Sequence, residues 1–177
     1  AELSQTLPGG LTPQEMGEKY QESYWQVDQA CLDALKNVAT PAHQEIIKVV
    51  LSVIYTPWLT EANHAFQSLV ESKGYPGSNE VNEAVAEYSV SGECVFFTDG
   101  LRFDIAHRLV DKLEERGFQV ELSSNWSALP TVTSTAKAAV TPIYQQITGR
   151  ITDSDFQPSL KSDDKSYSQY YLKKLLV

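Results

Sequence analysis

Three polar residues of this chain have the types and positions needed for chemistry on a phosphate group. Asp99 directly follows an apolar run, residues 94–98, that is typical of a buried strand. Thr133 lies in a segment rich in threonine and serine that follows a second predicted strand, residues 118–122, and opens a further helix. A carboxylate can bind a divalent cation, a hydroxyl beside that cation loses its proton more easily, and a helix N-terminus offers N–H groups to a phosphoryl group. Arg102, close behind Asp99, is a candidate for a phosphate contact.

Each candidate also has a structural interpretation that the sequence leaves open. Asp99 precedes Gly100 and could be an ordinary turn residue. Thr133 could be a helix N-cap, and Arg102 a solvated arginine at the start of a helix. Asp104 is expected to be an early-helix acid that the helix dipole favours. The pairing of Asp99 and Thr133 after consecutive predicted strands is what favours the chemical interpretation.

The spacing of apolar residues changes at Asp99, from the continuous run of a buried strand to the four-residue spacing of a helix. This change predicts the elements that would position the candidate residues. Gly100 allows a tight exit from the first strand, and a helix over about Phe103–Arg116 is expected to end at Gly117. Its apolar stripe is made of residues four apart: Leu101, Ile105, Leu109 and Leu113. Strand, helix and strand at this spacing predict a parallel βαβ unit, and ligands bind beyond the carboxyl ends of such strands. The predicted fold class is therefore α/β.

The first 90 residues are predicted to form a helical lead-in module. Thr12-Pro13 begins a helix that runs to about Val38, and Thr40-Pro41 begins a second. Pro57 predicts a break or kink near residues 55–56, followed by a third helix over Trp58–Lys73. Residues 91–177 are predicted to form the sheet-containing domain.

Composition excludes some classes of function. A formal net charge of -9 argues against a surface that coats nucleic acid, although it leaves room for a local basic pocket. We expect no bilayer-crossing segment, because no stretch is long and apolar enough, and no signal peptide before the fold. Cys31 and Cys94 are expected to be buried free thiols. His43, His64 and His107 lack metal-ligand spacing, so we expect surface or core roles for them. These features predict a cytoplasmic protein that does not contact membranes.

Two motifs resemble those of the PglZ domain of bacterial phage-defence systems, namely phage growth limitation and BREX. They are residues 95–104, Val-Phe-Phe-Thr-Asp-Gly-Leu-Arg-Phe-Asp, and residues 129–134, Leu-Pro-Thr-Val-Thr-Ser. Residues 24–28 and 55–59 are similar to the helical segment that precedes the PglZ core, and residues 155–158 to the stretch after it. This resemblance implies membership of the alkaline-phosphatase superfamily.

The resemblance also implies roles for the candidate residues. Asp99 would be a metal ligand, Thr133 the nucleophile or a metal-bound hydroxyl, and Arg102 a phosphate contact. Enzymes of the superfamily usually bind two zinc or related divalent ions and attack phosphate esters. Their remaining ligands, aspartates and histidines, come from the second half of the domain, and Ala136 stands where relatives often have an asparagine. One carboxylate cannot hold a catalytic dication tightly.

We therefore expect a piece of a larger protein: a helical lead-in followed by the first half of an alkaline-phosphatase-like, parallel-sheet PglZ domain. The parent is expected to be a divalent-metal phosphoester hydrolase, with zinc as the expected metal, that acts on nucleotides or nucleic acid with other subunits of a phage-defence complex. The isolated chain is expected to be inactive. The alternatives are a non-catalytic interaction module of the same complex and an unrelated doubly wound domain.

Overall fold

The computed structural model describes residues 6–78, 96, 98–127, 131, 147–149, 158–160 and 162. The chain forms two compact units, one comprising residues 1–76 with 101–122 and the other residues 77–100 with 123–177. Within the described ranges, no helix combines the length and the apolar character that a bilayer crossing requires. The predicted division into domains at residue 90 stays a prediction.

The first helical segment is a chain of three consecutive pieces. Helix α1 spans Pro13–Lys19, a π-helical turn covers Tyr20–Tyr24, and helix α2 spans Trp25–Lys36. The Thr12 side chain accepts a hydrogen bond from the Glu15 N–H at 3.2 Å, which confirms the predicted start. The predicted helix of residues 13–38 therefore exists, with one wider turn inserted in it.

Helix α3 spans Pro41–Lys73 without interruption, so the prediction of two separate helices is wrong. Its start at Thr40 is the predicted one, because the Thr40 hydroxyl accepts from the His43 N–H at 3.4 Å. Pro57 lies inside the helix and cannot donate a hydrogen bond to the preceding turn. The helix continues because the residues after Pro57 are held by packing: Trp58 and Ala62 are buried.

Trp58 is the centre of the core of the first unit. Its indole Nε1–H donates to the Thr6 carbonyl at 2.8 Å, and its ring stacks on Tyr24 and Tyr55. Met16, Val27 and Ala62 are also buried in this unit.

Helix α4 spans Phe103–Glu114 and confirms the helix predicted after Gly100 to within two residues. Its end is a Schellman motif, in which the Phe118 N–H donates to the Leu113 carbonyl at 3.1 Å and the Gly117 N–H to the Glu114 carbonyl at 2.8 Å. Gly117 has a φ of 84°, a left-handed value that glycine adopts without strain.

The prediction of an α/β fold with an alkaline-phosphatase-like parallel sheet is wrong for the part of the chain that the structure describes. Residues 118–122 are irregular and mostly exposed, because Phe118 completes the helix cap instead of starting a strand. Phe96 and Thr98 of the other predicted strand are also irregular, and Phe96 is 84% exposed. The described pairing is antiparallel: β1, Ile147–Gly149, pairs with β2, Pro158–Leu160.

Candidate functional site

Asp99 lies in a turn with Gly100, which is the structural interpretation that the sequence left open. Both residues are exposed, and Gly100 has a φ of 67°. A side chain at position 100 would be strained by this backbone conformation even though the surrounding space is open. The turn thus presents the Asp99 carboxylate at the protein surface.

Thr133 lies outside the described residues, so its predicted approach to Asp99 stays a prediction. Thr131, two positions earlier, is described and exposed.

Arg102 forms a two-pronged ion pair with Asp104. The Arg102 Nε–H donates to Asp104 Oδ1 at 3.0 Å, and its terminal NH2 donates to Oδ2 at 3.2 Å. Asp104 is fully buried, with an exposed fraction of 0%, whereas the Arg102 side chain remains 51% exposed. Asp104 is in the first turn of α4, as expected. Besides its favourable interaction with the helix dipole, its carboxylate holds the Arg102 guanidinium through two hydrogen bonds.

Asp28 of α2 is a second buried carboxylate beside the same arginine. Its Oδ1 lies 3.7 Å from the Arg102 NH2. The Tyr20 hydroxyl donates to Asp28 Oδ2 at 2.5 Å, and the Tyr55 hydroxyl donates to Oδ1. We call these five residues, Tyr20, Asp28, Tyr55, Arg102 and Asp104, the Asp28 cluster. It joins the π-helical turn, α2, α3 and α4.

Burial and the charges of the Asp28 cluster together shift the pKa values of three residues. Burial, followed by the hydrogen bond and the negative charge of Asp28, raises the pKa values of Tyr20 and Tyr55. Burial alone would lower the pKa of Arg102, but the charge and hydrogen bonds of Asp104 and the charge of Asp28 raise it overall. Both phenols therefore stay protonated as donors, and the arginine stays charged.

The sequence interpretation missed Asp28. The available signal was a carboxylate on the apolar side of α2, one position after Val27, which is itself buried. Carboxylates are rarely buried unless they are paired, so a charged residue at such a position predicts a distant partner. It does not identify the partner.

Helix α4 docks on α2 through two further contacts. Arg108 pairs with Asp33, and its NH2 donates to the Gln29 carbonyl at 3.3 Å. His107 stacks on Trp25 with ring centroids 3.9 Å apart, and Phe103 contacts the histidine edge-on at 4.8 Å. His107 therefore has a packing role, as expected, while His43 and His64 are exposed.

No group of three or more histidine, cysteine or acidic side chains converges in the described part of the chain. These residues alone do not make a metal centre. The predicted metal role of Asp99 and phosphate role of Arg102 stay predictions.

Residues 80–159 match the family model PglZ, described as the BREX system PglZ alkaline phosphatase-like domain. The matched range is a little under half of the 177 residues, and Asp99, Arg102 and Thr133 all lie within it. The motifs at residues 24–28 and 55–59 precede it. No curated protein and no solved structure gives a significant match. BREX systems act against phages, so the match indicates a component of an antiphage defence system. Residues 80–159 are therefore similar to the PglZ alkaline phosphatase-like domain of BREX systems.

Proposed function

We propose that the PglZ segment contributes to a metal-dependent phosphoester hydrolase of an antiphage defence system. Asp99 acts as a metal ligand, Thr133 as the nucleophile or a metal-bound hydroxyl, and Arg102 as a phosphate contact. The observation that carries the proposal is the family match, because one alkaline phosphatase-like segment, residues 80–159, contains all three residues. Enzymes of that superfamily generally depend on metal ions.

The position of Arg102 supports a phosphate contact. Its two hydrogen bonds to Asp104 use two of the five N–H groups of a guanidinium. With 51% of the side chain exposed, the outer edge of the group is accessible to a phosphate oxygen. Asp104 fixes the orientation of this edge, which lowers the entropy lost when an anion binds. Asp28 and Asp104 also place two negative charges near one positive charge, so the site binds an anion well only with further positive charge nearby.

A divalent metal ion would supply that positive charge. Asp99 alone provides too few ligand atoms to bind such an ion tightly. Catalytic metal sites take several protein ligands. We propose that further aspartates and histidines of a longer parent protein complete the site, with zinc as the expected metal. Its substrates would be nucleotides or nucleic acid. The chain by itself is then expected to show negligible turnover.

The experiment compares the 177-residue chain with the full-length parent on a chromogenic phosphodiester and on DNA, with zinc, manganese or magnesium and with a chelator. The parent should turn over only with metal and lose most activity in the Asp99→Ala and Thr133→Ala variants. Asp111→Ala, at an exposed position of α4, is the matched control and should remain active. Metal-dependent turnover that survives both substitutions would show that the site is elsewhere.

A second candidate function is a non-catalytic interaction module. It is favoured by the engagement of Arg102 with two buried carboxylates, which gives this residue a structural role that needs no substrate. BREX PglZ domains belong to multi-subunit systems, so partner subunits are expected in either case. A full-length protein that is inactive under every metal condition, yet copurifies with the other subunits of its system, would establish this function instead.

A further inference from the structure

Helix α3 carries an apolar stripe on its exposed side. Five aliphatic residues form it, each between 44% and 69% exposed: Ile46, Val49, Val50, Val53 and Ile54. Their spacing of three and four residues places them on one face of the helix. The opposite face already has its partners, because Trp58 and Ala62 are buried and Tyr55 contacts Asp28. We call the five residues the α3 stripe.

The sequence around the α3 stripe lacks charged residues, which favours an apolar binding partner. From Val49 to Thr60 the sequence contains no charged residue. The nearest charge on the N-terminal side, Lys48, is paired within the helix to Glu45 at 2.6 Å. A face with no charges offers no electrostatic basis for choosing a charged partner, whereas contiguous exposed aliphatic side chains are typical of protein–protein interfaces.

The order of the residues makes the stripe complementary to itself. Ile46 and Ile54 lie four positions before and after Val50 and are symmetric about it. The positions symmetric to Val49 and Val53 are Leu51 and Ile47, which lie outside the stripe but are also aliphatic. In an antiparallel helix pair with Val50 on the two-fold axis, Ile46 of each copy lies against Ile54 of the other. An interface of this kind uses the same patch on both copies and closes as a dimer.

We propose that the α3 stripe is the docking surface for a second copy of this chain. The five half-exposed aliphatic side chains, covered on both copies, bury on the order of 1,000 Å², the lower limit of a specific interface. A dimer of this size is reversible, with a dissociation constant expected in the micromolar range. The inference is independent of the proposed hydrolase activity.

Sedimentation equilibrium of the full chain at up to about 200 µM tests the proposal. The wild type should approach twice the 19.7 kDa mass of one chain as the concentration rises. Val50→Glu should weaken the dimer at least tenfold while keeping the helical circular dichroism signal, because glutamate is the better helix former at an exposed site. Ser52→Glu, at an exposed position beside the stripe, is the matched control and should dimerise like the wild type. A monomeric wild type at the highest concentration overturns the proposal.

Cross-linking tests the register separately. Val50→Cys places two cysteines at the proposed axis, where mild oxidation should join the copies, whereas Ser52→Cys should cross-link poorly. Equal cross-linking of the two variants, or a dimer that Val50→Glu leaves intact, would show that the copies meet through another surface. A monomer that Val50→Glu destabilises would mean that another part of the protein covers the stripe.

Discussion

The Tyr55 hydroxyl of α3 donates a hydrogen bond to the Asp28 carboxylate of α2, 27 positions earlier in the chain. The Tyr20 hydroxyl donates to the other oxygen of the same carboxylate. Two neutral donors and one arginine thus compensate a carboxylate that is almost completely removed from water. Burying such a charge is unfavourable without these partners, so the cluster is a sensitive point of the fold.

Replacement of Asp28 by alanine should destabilise the protein. The change leaves the Tyr20 and Tyr55 hydroxyls without their acceptor in a partly buried site. We expect a loss of about 2–4 kcal/mol in the free energy of unfolding. Urea denaturation measures it, and Asp111→Ala on the exposed side of α4 is the control, with a change below about 0.5 kcal/mol. Equal stability of the two variants would show that the cluster contributes nothing.

Replacement of Arg102 by lysine should also be destabilising. An ammonium group cannot form the two parallel hydrogen bonds that Arg102 makes to the buried Asp104. The expected loss is about 1–3 kcal/mol, measured by urea denaturation against Arg116→Lys, an exposed arginine beyond the end of α4. If Arg102→Lys unfolds like the wild type, the ion pair is not structural and an anion contact is the better explanation of the residue.

Stability should fall at alkaline pH because of Tyr20 and Tyr55. Burial and then Asp28 raise their pKa values above that of an unfolded-chain tyrosine, about 10. The unfolded chain therefore loses these protons first, so their stabilising effect is complete below about pH 10 and declines as the pH rises further. The melting temperature should decrease more steeply above pH 10 in the wild type than in a Tyr20→Phe, Tyr55→Phe double variant. Parallel curves would contradict these shifts.

Replacement of Pro57 by alanine should stabilise α3. Alanine restores an N–H donor to the helix and removes the clash of the proline ring with the preceding turn. Since Pro57 is exposed, we expect a gain of about 1–3 kcal/mol, seen as a higher melting temperature. A lower melting temperature would indicate that the core packing of Trp58 requires the proline geometry.

The sequence predicted the helices well because their signals are local. Thr12, Thr40 and Gly117 act within a few residues of their own positions, and each caps a helix where expected. Pro57 misled the prediction because the packing of Trp58, which stabilises the continuous helix, depends on Thr6 and Tyr24, distant in sequence. Local propensity was overruled by tertiary contacts.

The strand predicted over residues 118–122 is wrong, and the predicted site remains a prediction. Both depend on contacts between residues that are distant in the sequence. Alternation in residues 118–122 suggested a strand, but a strand needs a partner, and Phe118 instead completes the cap of α4. The apolar stripe of α4 was expected to provide the packing, yet Phe103, His107 and Arg108 contact α2, while Leu109 is 44% exposed. The Asp28 cluster draws on residues from position 20 to 104, and no spacing rule connects them.

The range matched to the family, residues 80–159, does not coincide with one folding unit, because it includes residues 101–122 of the first unit. Arg102 and Asp104 lie in the PglZ segment, whereas Tyr20, Asp28 and Tyr55 precede it, and all five share one cluster. A chain trimmed to residues 80–159 would expose the buried Asp104. Helix α4 would also lose the stacking of His107 on Trp25 and the ion pair of Arg108 with Asp33. We therefore expect substitutions on the two sides of residue 80 to have coupled effects on stability. Exchange of this domain between proteins should succeed only when the preceding helices move with it.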